Sequence, residues 1–184
     1  SRVLTREQAA LRSLQVSNPN TVLWLGLDKD HPDFQGRAVV SFVFHDKAKK
    51  LSPKLFLDFE QPNGLIVSSL SINNKSLELS TIATRLSHHK IWLDVDELIP
   101  GNNRIEISYS RPYSTDGTGL HRFVDPTDQR VYLFSDFEPY NANRVFPCFD
   151  QPDIKGTIEL TAEVPEDWVV VSTTQEREVN KVDG

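Results

Sequence analysis

The chain has 184 residues, of which 38% are hydrophobic, and a formal net charge of −6, which suits one domain with a real core. No apolar run approaches the ~20 residues of a membrane-spanning helix, and an acidic chain without a Lys/Arg cluster argues against a nucleic-acid partner. The start of the chain also lacks the apolar region of a secretory signal. Because the single cysteine, Cys148, can form no internal disulfide, the composition predicts a reducing, cytoplasmic location.

One helix is predicted near the N-terminus, over residues 5–14. Thr5 and Gln8 have the spacing of a capping box, in which each side chain bonds the backbone N–H of the other residue, and good helix formers follow them. After this helix the pattern changes to short β segments. The first of them, residues 21–27, is apolar and contains β-branched side chains.

Apolar side chains at every second position predict the inner faces of further strands. These positions are Val40, Phe42 and Phe44; Leu55, Leu57 and Phe59; Ile105, Ile107 and Tyr109; and Ile158, Leu160, Ala162 and Val164. Short strands separated by turn residues predict a mainly β fold, an antiparallel β-sandwich with the short N-terminal helix. Residues 111–128 are rich in Gly, Thr, Asp and Pro and predict a long surface loop.

The chain itself offers no pattern for catalysis or metal binding. None of its five histidines begins a His-Glu-x-x-His sequence, and no two of them lie four positions apart. Cys148, between Pro147 and Phe149, is predicted to be a small buried thiol rather than a nucleophile. Taken alone, the chain is therefore predicted to bind no metal and to catalyse nothing.

Acidic residues are concentrated in one part of the sequence. Residues 125–167 carry ten Asp or Glu against three Lys or Arg. A solvated sheet face explains this balance, and so does a surface that attracts a cationic group. Both interpretations stay open at this point.

Two motifs are more specific than the strand pattern. The first runs from Gly-Thr-Gly-Leu at 117–120 to Asp-Phe-Glu-Pro at 136–139, and the second is Arg-Val-Phe-Pro-Cys-Phe-Asp-Gln-Pro at 144–152, followed by Lys155. These motifs resemble the N-terminal domain of the aminopeptidase N family of zinc metallopeptidases. The resemblance covers nearly the whole chain and implies a saddle-shaped, mostly β domain over residues 1–184.

In that family a catalytic domain follows, with a zinc-binding His-Glu-x-x-His motif and a Gly-x-Met-Glu-Asn motif. Neither is present in these 184 residues, which contain no methionine. The resemblance thus implies the first part of a zinc-dependent aminopeptidase, whose zinc and catalytic domain belong to the parent protein and whose substrates are peptides with a free N-terminus. The chain ends after an apolar segment without a closing element, which predicts a cut rather than a natural terminus.

The resemblance also implies a binding role for two carboxylates. In relatives, the strand that ends the first motif carries a Gln or Glu that binds the free α-amine of the substrate, and Glu138 takes this position. A carboxylate suits the task because charge-assisted hydrogen bonds distinguish an ammonium group from an amide. Asp136, on the same predicted strand face, stands where relatives usually have Gln in the first side-chain pocket. This departure predicts a preference for basic or polar N-terminal residues.

Three structural expectations accompany the motifs. The resemblance implies a cis peptide after Glu138, and proline at position 139 makes that conformation less costly. Arg144 and Asp150 are expected to pair and to fix the segment between them. Both glycines of the first motif are expected to adopt unusual backbone angles.

Two other interpretations remain. A self-contained, non-catalytic β-sandwich that binds protein or carbohydrate explains the fold and the missing metal motif, but not the two motifs. A parent on the leukotriene-hydrolase branch, with an added epoxide hydrolase activity, would be decided by residues outside this chain. In either aminopeptidase interpretation, an apolar patch is expected where the catalytic domain docks.

Overall fold

The computed structural model describes residues 4–181, except for the Ala48 side chain, and its first element is a helix. Helix α1 spans Arg6–Gln15, with Thr5 as its N-cap. The Thr5 hydroxyl accepts a hydrogen bond from the Gln8 N–H, and the Gln8 side chain accepts one from the Thr5 N–H, each at 3.2 Å. This capping box is the predicted one, so the predicted helix is confirmed.

Eleven strands and a second helix follow within the described residues. They are β1 (Val16–Gly26), β2 (Asp33–Phe44), β3 (Lys54–Asp58), β4 (Ile66–Ile72), β5 (Lys75–Ser76), α2 (Leu79–Arg85), β6 (Leu86–Ser87), β7 (Lys90–Asp94), β8 (Gly101–Pro112), β9 (Gly119–Val124), β10 (Val131–Asp136) and β11 (Thr157–Glu163). Neither helix has the length and apolar character that crossing a membrane requires.

The strands form three sheets. The largest has six strands in the order β11–β1–β2–β8–β4–β5, and within it β11 runs parallel to β1 while the other pairs are antiparallel. A three-stranded sheet has the order β3–β7–β6, and β9 and β10 form an antiparallel hairpin. The fold is therefore mainly β, with antiparallel pairing dominant, as predicted.

The six-stranded and three-stranded sheets bury their apolar faces in one core. The alternating positions predicted on β2, β3 and β8 face inward, and each of them is at most 2% exposed. Strand β3 departs from simple alternation because Phe56 and Asp58, on its other face, are buried as well. Arg12 of α1 covers that face, with its guanidinium 4.5 Å from the centre of the Phe56 ring.

One prediction about the elements is wrong, and one element has no counterpart among the predictions. Residues 111–128 are not one long loop, because β8 extends to Pro112 and β9 begins at Gly119, where β10 provides a pairing partner. Helix α2 was not predicted, since it has only seven residues and buries only Ile82, which leaves no apolar periodicity to detect.

The inner face of β11 is less buried than predicted. Ile158 and Leu160 pair with the buried residues Thr21 and Leu23 and so lie on the core side of the sheet. Both are nevertheless 52% exposed. Strand β11 is an edge strand whose one sheet neighbour among the described residues is β1, so its side chains are covered from one side only.

Candidate functional site

The two carboxylates identified from the sequence lie at the end of β10. Asp136 is the last residue of the strand and Glu138 follows in a turn, so the prediction that both lie on one strand face is wrong. Asp136 caps that turn, because its Oδ1 accepts a hydrogen bond from the Glu138 N–H at 3.2 Å. Both side chains are exposed, and the Glu138 carboxylate has no hydrogen bond or ion pair with other residues in the 4–181 range. It is therefore available to a ligand.

The turn that carries Glu138 is held by its neighbours. The Glu138–Pro139 peptide is cis, as predicted. The Asn141 side chain donates to the Glu138 carbonyl oxygen at 2.7 Å, and the Asn141 N–H donates to the Phe137 oxygen at 2.9 Å. The Phe137 ring packs edge-on against Phe146, with 5.9 Å between the ring centres. The backbone of Glu138 is thus fixed while its side chain remains exposed.

A polar cluster, formed by the buried residues Arg12, Asp58 and Gln151 and the half-buried Tyr140, lies next to this turn, and we name it the buried polar cluster. The Tyr140 hydroxyl donates to Asp58 Oδ1 at 2.5 Å, and Arg12 donates to Asp58 Oδ2 at 2.6 Å and to Gln151 Oε1 at 2.9 Å. The Arg12 and Asp58 side chains are both 0% exposed. Burial raises the pKa of Asp58, and Arg12 and the Tyr140 hydroxyl oppose that rise. Burial, together with Asp58, raises the pKa of Tyr140, so its hydroxyl keeps its proton and donates.

The second motif ties this polar cluster to the sheets. Asp58 and Cys148 exchange two backbone hydrogen bonds, of 2.8 and 3.1 Å, and the Asp150 N–H donates to Asp58 Oδ2 at 3.1 Å. The Asp150 carboxylate accepts from the backbone and side-chain nitrogens of Asn143, at 3.1 and 2.8 Å. The Cys148 thiol forms no disulfide and burial raises its pKa, which are properties of an inert thiol rather than a nucleophile.

Arg144 does not pair with Asp150, so that prediction is wrong. Its Nε donates to Glu60 at 2.8 Å, and its two terminal nitrogens donate to the two Asp116 oxygens at 3.2 and 2.9 Å. Gly119 permits this approach, because a Cβ there would lie 3.0 Å from the Arg144 Cβ. Both glycines of the first motif have positive φ, as predicted. Asp150 instead binds Asn143, and Arg144 joins Asp116, next to Gly117, to Glu60.

The β9–β10 hairpin carries half-exposed aromatic side chains on the same face as Asp136. Tyr132 pairs with Phe123 across the hairpin, and Phe134 pairs with His121. We name Phe123, Tyr132 and Phe134 the aromatic face; their exposed fractions are 45%, 47% and 49%. Alternate residues of a strand share a face, so this face leads to Asp136.

The described residues do not fit the zinc that the resemblance implies. Within residues 4–181 no three His, Cys, Asp or Glu side chains form a group that could hold a metal ion. Asp136 and Glu138 supply two carboxylates, whereas zinc sites in proteins use three or four N, S or O ligands.

Sequence reasoning misses Arg12, Asp58 and Tyr140. A signal exists for Asp58, which interrupts the apolar sequence Leu-Phe-Leu-Asp-Phe, because a charge inside an apolar strand is buried only with a partner. No local pattern identifies the partners, since Arg12 lies 46 positions from Asp58 and Tyr140 lies 82 positions from it.

Comparison with known proteins agrees with the motif resemblance. The family model described as Peptidase M1 N-terminal domain matches residues 20–184. Aminopeptidase N of Streptomyces lividans is 33% identical over 171 residues, which are 93% of this chain and 19% of that protein. Probable M1 family aminopeptidase 1 of Encephalitozoon cuniculi is 35% identical over 75 residues, which are 41% of this chain and 8% of that protein. Aminopeptidase M1 of Arabidopsis thaliana is 30% identical over 83 residues, 44% and 9% of the two chains.

The chain spans about a fifth or less of the length of these curated relatives. The family match includes both motifs and the turn with Glu138. It speaks against an unrelated β-sandwich binding module, which would have no reason to share them. This chain belongs to the peptidase M1 N-terminal domain family.

Proposed function

We propose that this chain is the N-terminal domain of a zinc-dependent aminopeptidase in which Glu138 binds the free α-amine of the peptide substrate. The observation that carries the proposal is an exposed Glu138 carboxylate, without a partner among residues 4–181, on a backbone held by Asn141. An aminopeptidase must distinguish a free N-terminus from an internal amide, and the usable difference is a positive charge. Charge-assisted hydrogen bonds to that charge contribute ~1.5–3 kcal/mol each.

A fixed anchor also orients the substrate. Because the backbone of Glu138 is held on both sides and the α-amine is one Cα away from the scissile carbonyl, a bound amine gives that carbonyl a defined position relative to the groups that cleave it. The zinc and the groups that cleave the bond would come from the catalytic domain of the same parent, since the described residues hold no metal-binding group. The chain contributes binding and orientation, and alone we expect it to be inactive.

The aromatic face is our candidate for the surface that the catalytic domain covers. Its three rings are about half exposed, and neighbouring exposed aromatic side chains mark interaction surfaces. The face adjoins Asp136 and the turn with Glu138. A domain seated there would enclose the amine site and exclude water, which strengthens the attraction between a carboxylate and an ammonium group.

Asp136 is proposed to favour substrates with a basic N-terminal side chain. One of its oxygens already accepts the Glu138 N–H, so Asp136→Asn keeps an acceptor there and removes only the charge. Attraction between partly solvated charges is worth ~1 kcal/mol, so the arginyl-to-leucyl ratio of kcat/KM should fall about 5-fold in Asp136→Asn. An unchanged ratio would remove Asp136 from the specificity pocket.

We also infer a cytoplasmic parent. The reason is that Cys148, the one cysteine of the sequence, is unpaired and so fits a reducing compartment. Cell fractionation followed by immunodetection tests this, and recovery of the parent in the secreted fraction would contradict it.

The decisive variant of the full-length parent is Glu138→Ala. We expect kcat/KM for leucine 4-nitroanilide to fall about 10–150-fold, the equivalent of one lost charge-assisted hydrogen bond. Glu138→Gln keeps a neutral acceptor and should lose less. The matched control is Glu159→Ala, which removes an exposed carboxylate on β11 and should leave kcat/KM within about twofold. A Glu138→Ala enzyme that matches this control would refute the amine-binding role.

A further inference from the structure

We propose that Tyr140 is a positioning residue for substrate binding, acting by fastening the turn with Glu138 to the buried Asp58. This inference rests on the proposed amine-binding role of Glu138. It gives the buried polar cluster a part in recognition, although Arg12, Asp58 and Tyr140 lie outside the two sequence motifs. Tyr140 does not touch the substrate in this scheme; it determines where the Glu138 carboxylate stands.

The first support is the geometry of the turn. Two side chains contact the rest of the protein, one before and one after Glu138. The Phe137 ring, although 38% exposed, packs against Phe146, and the Tyr140 hydroxyl donates to Asp58 at 2.5 Å. Glu138, between them, has an exposed side chain. The turn therefore has anchors before and after the residue that it presents, and the anchor after Glu138 ends on a charged group inside the protein.

The second support is the strength of that anchor. Asp58 is 0% exposed, and its Oδ2 is bound by Arg12 at 2.6 Å and by the Asp150 N–H at 3.1 Å. Within residues 4–181, the one side-chain donor to Asp58 Oδ1 is the Tyr140 hydroxyl. A buried carboxylate oxygen without a donor is strongly unfavourable, so Asp58 holds the Tyr140 hydroxyl in place.

The third support is that Asp58 is itself held by several partners. Its backbone N–H and carbonyl oxygen both bond Cys148, at 2.8 and 3.1 Å, and its partner Arg12 is bound to Gln151 at 2.9 Å. Through Asp58, the turn is thus connected to α1, β3 and the second motif. A fixed reference of this kind is what a binding carboxylate needs, because small displacements of such a group weaken an oriented interaction.

The test is a double-mutant cycle in the full-length parent, with Tyr140→Phe, Glu138→Ala and the two combined. Tyr140→Phe removes the hydroxyl and keeps the ring. We expect kcat/KM for leucine 4-nitroanilide to fall about 3–10-fold, mainly through a higher KM. In the Glu138→Ala background the same substitution should change kcat/KM by less than about twofold, because a residue that acts through Glu138 has nothing left to position.

The matched control is Tyr113→Phe. The Tyr113 hydroxyl bonds the backbone of Asp28 at 3.0 and 3.1 Å, and within residues 4–181 it has no hydrogen bond with residues 136–141. This variant also removes a partly buried tyrosine hydroxyl and keeps the ring, and it should leave KM unchanged. If Tyr113→Phe raises KM as much, general loosening is the cause and the inference is wrong. Equal factors for Tyr140→Phe in both Glu138 backgrounds also overturn it, while the proposed function stands. If Glu138→Ala itself has no effect, the proposed function fails first.

Discussion

The apolar core between the two larger sheets and the Arg12–Asp58 pair of the buried polar cluster are equally shielded from water but depend on different forces. Core residues such as Leu57 and Ile107 are 0% exposed and are held by burial, which has no preferred direction. Arg12 and Asp58 are also 0% exposed, but each is held by particular partner atoms. The core should therefore tolerate conservative substitution, whereas the polar cluster should not.

The largest effect is expected for Arg12→Met. This substitution keeps much of the packing against Phe56 but leaves the Asp58 charge buried without its cation. Breaking a buried ion pair in this way costs about 3–5 kcal/mol in the free energy of unfolding, measured by chemical denaturation. The double variant Arg12→Met with Asp58→Asn should be more stable than Arg12→Met alone, because it removes the carboxylate charge that has lost Arg12 and keeps an oxygen that can accept from Tyr140. The buried Lys90 beside Asp58 is the same in both variants. A double variant that is no more stable would show that the charge is not the cause.

A smaller effect is expected for Gly119→Ala. The residue has a φ of +72°, and an added Cβ would lie 3.0 Å from the Arg144 Cβ. The strained backbone and the close contact together should lower the free energy of unfolding by about 2 kcal/mol. Gly64→Ala is the control, since Gly64 has a φ of +89° with open space around it, and it should cost only about 1 kcal/mol. Equal losses would mean that the approach of Arg144 to Gly119 is unimportant.

Conservative substitution in the apolar core should be mild. Ile107→Val removes one methylene group from a fully buried position on β8 and should cost about 1 kcal/mol in chemical denaturation. Comparing the free-energy losses of Ile107→Val and Arg12→Met measures the difference between the apolar core and the buried polar cluster. A loss for Ile107→Val as large as that for Arg12→Met would abolish the distinction between them.

The smallest effect is expected at Asp116 and depends on pH. Desolvation would raise the pKa of Asp116, but hydrogen bonds from Arg144 and Thr118 lower it to about 2, against an ordinary value of 3.8. The stabilisation is therefore present above pH 4 and is lost as the pH falls toward 2. Because the side chain is 56% exposed, we expect Asp116→Asn to cost only about 0.5–1 kcal/mol at pH 6. Between pH 6 and pH 2, the thermal unfolding midpoints of Asp116→Asn and of the unsubstituted chain should converge. A difference that stays constant would contradict the assignment.

The difference between burial without direction and bonds to particular partners explains which parts of the fold the sequence could predict. Alternating residues such as Val40, Phe42 and Phe44 identify inner strand faces because burial alone places them. Ile158 and Leu160 have the same alternation yet are half exposed, since alternation reports the face of a strand and not whether an edge is covered. Strand β9 escaped prediction because its apolar residues do not alternate, and it forms only by pairing with β10.

The candidate site was predictable to a different extent. Glu138 could be identified because it stands in a motif whose resemblance assigns a role to that position, and the family match agrees with the resemblance. Tyr140 could not be identified in this way, because its partner Asp58 is 82 positions distant and only the fold brings them together. The predicted Arg144–Asp150 pair is wrong for a related reason. Arg144 binds Glu60, which is 84 positions distant, and Asp150 binds Asn143.

Binding of two inhibitors to the full-length parent and to its Glu138→Ala variant tests amine recognition most directly. The inhibitors are leucine hydroxamate and the otherwise identical compound without the amine. We predict that the amine improves affinity about 10–150-fold in the parent, and that Glu138→Ala removes most of this advantage while leaving the amine-free compound within about twofold. An amine advantage that is the same in both proteins would contradict the assignment of Glu138 as the anchor.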